Sequence, residues 1–153
     1  MLLSDLVTPD RIACAVNAQS KKRALEHISE IISKSEDTIS SNDVFESLLA
    51  RERLGGTGVG YGVAIPHGRL KSSDHTVGAF IKLQKAVDYD AADQQPVDLL
   101  FALLVPEKST EEHLQILAKL AKLFSDESFR SQLRDADNID KIHQLLLDWE
   151  AAQ

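Results

Sequence analysis

The sequence predicts an α/β fold, a mixed sheet of about five strands flanked by helices on both faces in a single three-layer domain spanning residues 1–153. Three observations predict it. Apolar residues recur at three- and four-residue spacing near both ends of the chain, which is the period of a buried helix face. Between them the period changes to short runs rich in valine, isoleucine or leucine, bounded by turn residues. One of these, VDLLFALLV from Val97 to Val105, is almost wholly apolar, as a strand covered on both faces must be.

Taken in order, a short N-terminal segment precedes Ile12–Val16, a candidate edge strand. Ser20 to Ser33 then places Ala24, Leu25, Ile28, Ile31 and Ile32 on one helical stripe. Ser40 opens the next helix, with Asp43 three residues on as a variant capping box, Val44, Phe45, Leu48 and Leu49 as its apolar face, and Gly55 past its end. Val63–Ile65, Val77–Leu83 and Val97–Val105 are the main strands, and Val87–Tyr89 is a candidate for another edge. Helical patterns over Thr110–Phe124, Glu127–Leu133 and Ile139–Glu150 finish the chain.

With 43% hydrophobic and 27% charged residues the composition is that of a globular domain, and no apolar window reaches the length of a membrane span. The first residues, MLLSDLVTPD, lack the basic and apolar regions of an export signal, so a cytoplasmic location is expected, with no membrane insertion. A net charge of −7 argues against a nucleic-acid partner. Cys14, within the apolar string Ile12–Val16, reads as a small hydrophobe. Neither closely spaced histidines nor a cysteine cluster is present, so no metal site is expected.

Five of the seven glycines fall between Gly55 and Gly62, in the string GGTGVGYGVAIPHG. So dense a run implies backbone turns or the close approach of a ligand. Neither G-x-G-x-x-G nor G-x-x-x-x-G-K-[ST] occurs in it, which removes the usual nucleotide readings. The backbone amides around Gly58 and Gly60, the Thr57 hydroxyl and the preceding Arg51 and Arg53 instead suit a bare phosphoryl group.

His67 ends this run on a stiff support, because Pro66 fixes its own φ and keeps Ile65 extended. His113 shares a helical stripe with Leu117, Leu120 and Phe124, in a first turn that follows Ser109 and Glu112 in capping-box spacing. If Val63–Ile65 and Val97–Val105 are parallel neighbours, both histidines emerge at strand carboxyl ends and share a crevice. The plainer readings are a loop histidine closing a turn, for His67, and a core-rim histidine satisfied by a carbonyl, for His113. His27, His75 and His143 read as surface residues.

RERLGGTGVGYGVAIPHG followed by PVDLLFALLVPEKSTEEHL resembles the IIA proteins of the bacterial phosphoenolpyruvate-dependent phosphotransferase system, in the fructose/mannitol class and within it the nitrogen-regulatory type. The resemblance runs from Leu2 to about Leu147. It implies a type-2 IIA domain whose His67 accepts a phosphoryl group through Nε2 from a histidine phosphocarrier protein, with no cofactor. It further implies that His113 hydrogen-bonds the phosphoryl group, that Arg51 stabilises its charge and that Thr57 lies in the phosphoryl-binding segment. Tyr61 departs from the asparagine or small polar residue of that pattern. The function so implied is a phosphocarrier that signals through its phosphorylation state. The alternatives are a free-standing sugar-specific IIA that phosphorylates the IIB domain of a permease, and a regulatory binding module that is never phosphorylated. An acidic protein would steer a basic partner toward itself.

Overall fold

The computed structural model describes residues 1–109 and 111–153. A one-turn helix, α1 (Leu3–Leu6), and a 3-10 turn at Pro9–Arg11 lead into β1 (Ile12–Val16). Helices α2 (Lys21–Ser35) and α3 (Ser41–Leu54) follow, then β2 (Gly58–Gly60), β3 (Val63–Ala64), β4 (His67–Leu70), β5 (Val77–Val87) and β6 (Val97–Pro106). Three helices, α4 (Glu111–Ser125), α5 (Glu127–Asp135) and α6 (Ile139–Ala151), come last.

The helices begin where side chains satisfy their first amides. Ser20 accepts from the Arg23 amide and Ser40 from the Asp43 amide, each at 3.1 Å, and Asp126 and Asn138 do the same for α5 and α6. Gly55 ends α3 as expected. The expected start of the fourth long helical pattern, Thr110, lies outside the described residues.

The sheet is mixed, as expected, and among the described residues has six strands, in the order β1-β5-β6-β3-β2, with β4 also on β6. β1 lies parallel to β5 at one edge, β5 and β6 are antiparallel, and β3 and β4 run parallel to β6. The expected edge strand at Val87–Tyr89 does not form. Val87 ends β5, and Tyr89 leaves the sheet to bury its ring beneath the β2–β3 hairpin. The two strands that periodicity misses, β2 and β4, are short and carry glycine and polar residues, so neither has an apolar alternation to display.

β6 divides the core into two layers. Leu100, Ala102 and Leu104 face α2 and α3, where they meet Leu25, Ile28 and Leu48. Leu99, Phe101, Leu103 and Val105 face the other side, with Ile116, Leu120 and Phe124 of α4 and Leu133 and Leu146 of α5 and α6. Strand alternation therefore places helices on both faces, as the unbroken apolar run predicts.

Candidate active site

β3 and β4 are two pieces of one path along β6. Val63 faces Leu99 and Ala64 faces Leu100, and after the break at Ile65–Pro66 the same register resumes, with His67 opposite Leu103 and Leu70 opposite Pro106. Pro66 has no amide to give the ladder, but its carbonyl still accepts from the Leu103 amide at 2.9 Å. His67 thus opens a further strand rather than leaving the sheet at a carboxyl end. The expected crevice past two parallel strands therefore lies beside β4, beyond the carboxyl end of β3. Paired residues of a parallel ladder share a face, so His67 stands on the α4 side with Leu103.

His113 comes to it from the first turn of α4. The two imidazoles lie edge to face with ring centroids 5.3 Å apart. Burial of Ile116, Leu120 and Phe124 fixes the helix register that turns His113 inward, leaving it 7% exposed. Arg51 arrives from the last turn of α3, donating from Nε to Nε2 of His67 at 3.2 Å and from Nη1 to the Gly55 carbonyl at 2.7 Å.

The hydrogen bonds assign the His67 tautomer. Nδ1 lies 2.8 Å from the Ile65 carbonyl, which can only accept, so Nδ1 carries the proton. Nε2 is then a lone pair, consistent with its accepting from Arg51. Nε2 of His113 differs from every other buried side-chain nitrogen or oxygen among the described residues, because it has no partner. A buried donor or acceptor left alone costs about 1–3 kcal/mol. The core-rim reading of His113, which relied on a backbone carbonyl, is not what this nitrogen does.

Both rings are held neutral near pH 7. Burial lowers the His67 pKa below 6.5; the Ile65 carbonyl opposes this, the Arg51 charge adds to it, and Glu52 offsets part of it. Burial also lowers that of His113, followed by the charges of His67, Arg69 and Arg51. Since the folded values lie below the unfolded one, the protein binds fewer protons folded than unfolded over that interval. This contribution to stability is present above pH 6.5 and is lost as pH falls through the folded-state values. Titration of the imidazole protons by NMR should give midpoints below 6.5 for both rings, and Arg51→Ala should raise that of His67. A midpoint at or above 6.5 for His67 would mean that the ring is not desolvated.

The glycine run is a closed hairpin rather than an open cradle. Tyr61 and Gly62 form its two-residue turn between β2 and β3 with φ of 58° and 76°. A hairpin turn with both residues left-handed favours Asn-Gly, and here Tyr61 takes the first of the two positions. The Tyr61 carbonyl accepts from Arg134 at 2.6 Å, its amide donates to Asp93 at 3.0 Å, and its ring lies under Arg130, with 4.4 Å from the guanidinium carbon to the ring centroid.

Thr57, Gly58 and Gly60, expected to bind the phosphoryl group, lie at the base of this hairpin and within it. Thr57 is 5% exposed, and its hydroxyl is taken up by Glu52 and Tyr89. Gly60 lies in β2 against Asp93. At Gly58 a Cβ would stand 2.8 Å from the Ala91 Cβ and 2.9 Å from its Cα, so its glycine is required by packing. Gly58→Ala should push the hairpin off residues 89–91 and cost about 1–3 kcal/mol in denaturant unfolding. An unchanged midpoint would show slack in that contact.

Two residues that the motif reading passes over belong to this neighbourhood. Arg69, two positions beyond His67, donates from Nη1 to the Glu107 and Ser109 carbonyls, both at 2.9 Å, and so holds the segment before α4. Glu52 is buried although it sits between two arginines. A sequence signal was present, since Val44, Leu48 and Glu52 recur every four residues on the buried face of α3.

An unprotonated nitrogen, a guanidinium on it and a second imidazole with an unused nitrogen make a set suited to receiving an anionic group. The profile of the family "Phosphoenolpyruvate-dependent sugar phosphotransferase system, EIIA 2" matches residues 5–149. The chain belongs to that family. As an EIIA 2 protein it is 41% identical over 151 residues to a nitrogen regulatory protein of Pseudomonas aeruginosa, covering 99% of this chain and 98% of the relative. A nitrogen regulatory protein of Escherichia coli is 43% identical over 149 residues, covering 97% and 91%. The crystal structure of the nitrogen regulatory protein IIA-Ntr from Neisseria meningitidis superposes on this EIIA 2 domain with a TM-score of 0.88 and 41% identity, covering 94% of this chain and 98% of that one. Among the described residues no helix is long and apolar enough to cross a membrane.

Proposed function

We propose that this EIIA 2 protein is a cytoplasmic regulatory phosphocarrier that takes a phosphoryl group onto Nε2 of His67 from the phosphohistidine of a histidine phosphocarrier protein. Full-length likeness to nitrogen regulatory proteins supports a PTS-type regulatory phosphocarrier. The observation that carries the mechanism is the unpartnered Nε2 of His113 beside a His67 whose tautomer is fixed.

In the transfer, the Nε2 lone pair of His67 forms the new N–P bond as the donor's N–P bond breaks and its electron pair returns to the donor imidazole. Nδ1 keeps its proton and goes on donating it to the Ile65 carbonyl, which stabilises the positive charge that the ring acquires. Arg51 must give up its bond to Nε2 before attack; tied at Gly55, it stays near enough to turn its N–H groups onto phosphoryl oxygens. Nε2–H of His113 supplies a neutral donor to another oxygen. Charge in this transition state is spread over three equatorial oxygens, so catalysis rests on positioned donors and cations. Thr57 and the glycines shape the loop in this reading and do not bind the group.

The test is incubation with phosphoenolpyruvate, enzyme I and the carrier protein, followed by mapping of acid-labile phosphate. One phosphoryl group per chain at Nε2 of His67 is expected. A wild-type protein that takes up no label overturns the proposal.

A further inference from the structure

Beneath the β2–β3 hairpin lies a buried charged cluster with no part in the transfer just described. The Glu52 carboxylate, 3% exposed, is surrounded by donors. Lys21 reaches Oε2 at 2.7 Å and the Thr57 amide reaches the same oxygen at 3.2 Å, while the Tyr89 hydroxyl donates to Oε1 at 3.1 Å and the Thr57 hydroxyl donates to it as well. The Lys21 ammonium also lies 4.5 Å above the Tyr89 ring centroid. Four donors converge on one buried carboxylate, so replacing it disturbs everything it holds.

What it holds leads to the imidazole. Both the amide and the hydroxyl of Thr57 bind Glu52, so the orientation of Thr57 is fixed at two points. The Thr57 carbonyl accepts from the Ile65 amide at 3.0 Å. The Ile65 carbonyl, in turn, receives Nδ1–H of His67 at 2.8 Å. Ile65 precedes Pro66 and stands at the break between β3 and β4, where the ladder to β6 is interrupted, so its carbonyl needs another anchor.

We propose that Glu52 is a positioning residue for transfer at His67: through Thr57 and Ile65 it fixes both the Nδ1–H tautomer and the direction in which Nε2 points. This rests on the reading that Nε2 of His67 is the acceptor. A 1 Å misplacement of a reacting atom is able to cost about 10²-fold in rate. Glu52→Gln keeps the size of the side chain but sets an NH2 group among donors, so it should loosen Thr57 without emptying the site.

Nitrogen NMR of the His67 ring, at a mildly alkaline pH where it is neutral, reads the tautomer without any phosphoryl donor. Wild type should show a protonated Nδ1 and a bare Nε2. Glu52→Gln should show averaged signals of both tautomers, and its single-turnover phosphorylation should slow by about 10–10²-fold while reaching the same final stoichiometry. Wild-type ring signals and rate in a folded Glu52→Gln protein overturn the positioning role and reduce Glu52 to fold stabilisation. If Glu52→Gln does not fold, Thr57→Val, which keeps the backbone bond to Glu52 and loses the hydroxyl, should shift both readouts less but in the same direction; unchanged readouts there also overturn the proposal. Absence of label in wild type overturns the acceptor assignment instead, and leaves the tautomer measurement to be judged separately.

Discussion

His67→Ala protein incubated with phosphoenolpyruvate, enzyme I and the carrier should take up no acid-labile phosphate, while wild type takes up one group per chain. The loss should be complete because transfer needs an unprotonated nitrogen that a partner protein is able to reach. His67 is half-buried at a sheet edge, whereas His113 is 7% exposed. The variant should remain folded, since β4 keeps its backbone pairing to β6 and the imidazole forms no part of either core cluster. His113 is the competitor that makes this test sharp. Its ring is held neutral and so carries one unprotonated nitrogen, which gives it too the chemistry of a nucleophile. Label that persists in His67→Ala and disappears only when His113 is also replaced would exchange the two roles.

The sequence made most of this architecture legible, and the exceptions have physical causes. Ser20, Ser40 and Gly55 marked helix ends through local chemistry that needs no tertiary partner. Val97–Val105 revealed a strand buried on both faces because it is apolar throughout. β4 stayed hidden because HGRL gains its strand geometry from register with β6 rather than from its own side chains. In the site, Pro66 and His67 were visible as a stiff pair, and the stripe shared with Leu120 and Phe124 pointed His113 inward. The glycine run was visible, but its hairpin was not. Its glycines serve the Tyr61–Gly62 turn and the contact of Gly58 with Ala91, and such requirements arise from residues distant in sequence. Glu52 was missed for a different reason, as a carboxylate between Arg51 and Arg53 reads as a solvated helix end until Lys21, Thr57 and Tyr89 are brought around it.

His113→Met separates the phosphoryl-binding role of this residue from its packing, because the two make opposite predictions. In the unphosphorylated protein, the unpartnered Nε2 is a cost of about 1–3 kcal/mol, carried in a position lined by the apolar stripe of α4. A flexible apolar side chain of similar length removes that cost and fills the space. The variant should therefore unfold at higher denaturant concentration than wild type. Its phosphorylation by the carrier should fall by about 10²–10³-fold, the usual consequence of losing one donor aimed at developing oxyanion charge. Arg51 and the His67 tautomer remain in place, so the acceptor and the final stoichiometry should not change. A packing role alone predicts a different pair of results, in which transfer stays at the wild-type rate whatever happens to stability. Stability gained together with transfer lost would show that the fold tolerates an unsatisfied buried nitrogen because a phosphoryl oxygen satisfies it during function.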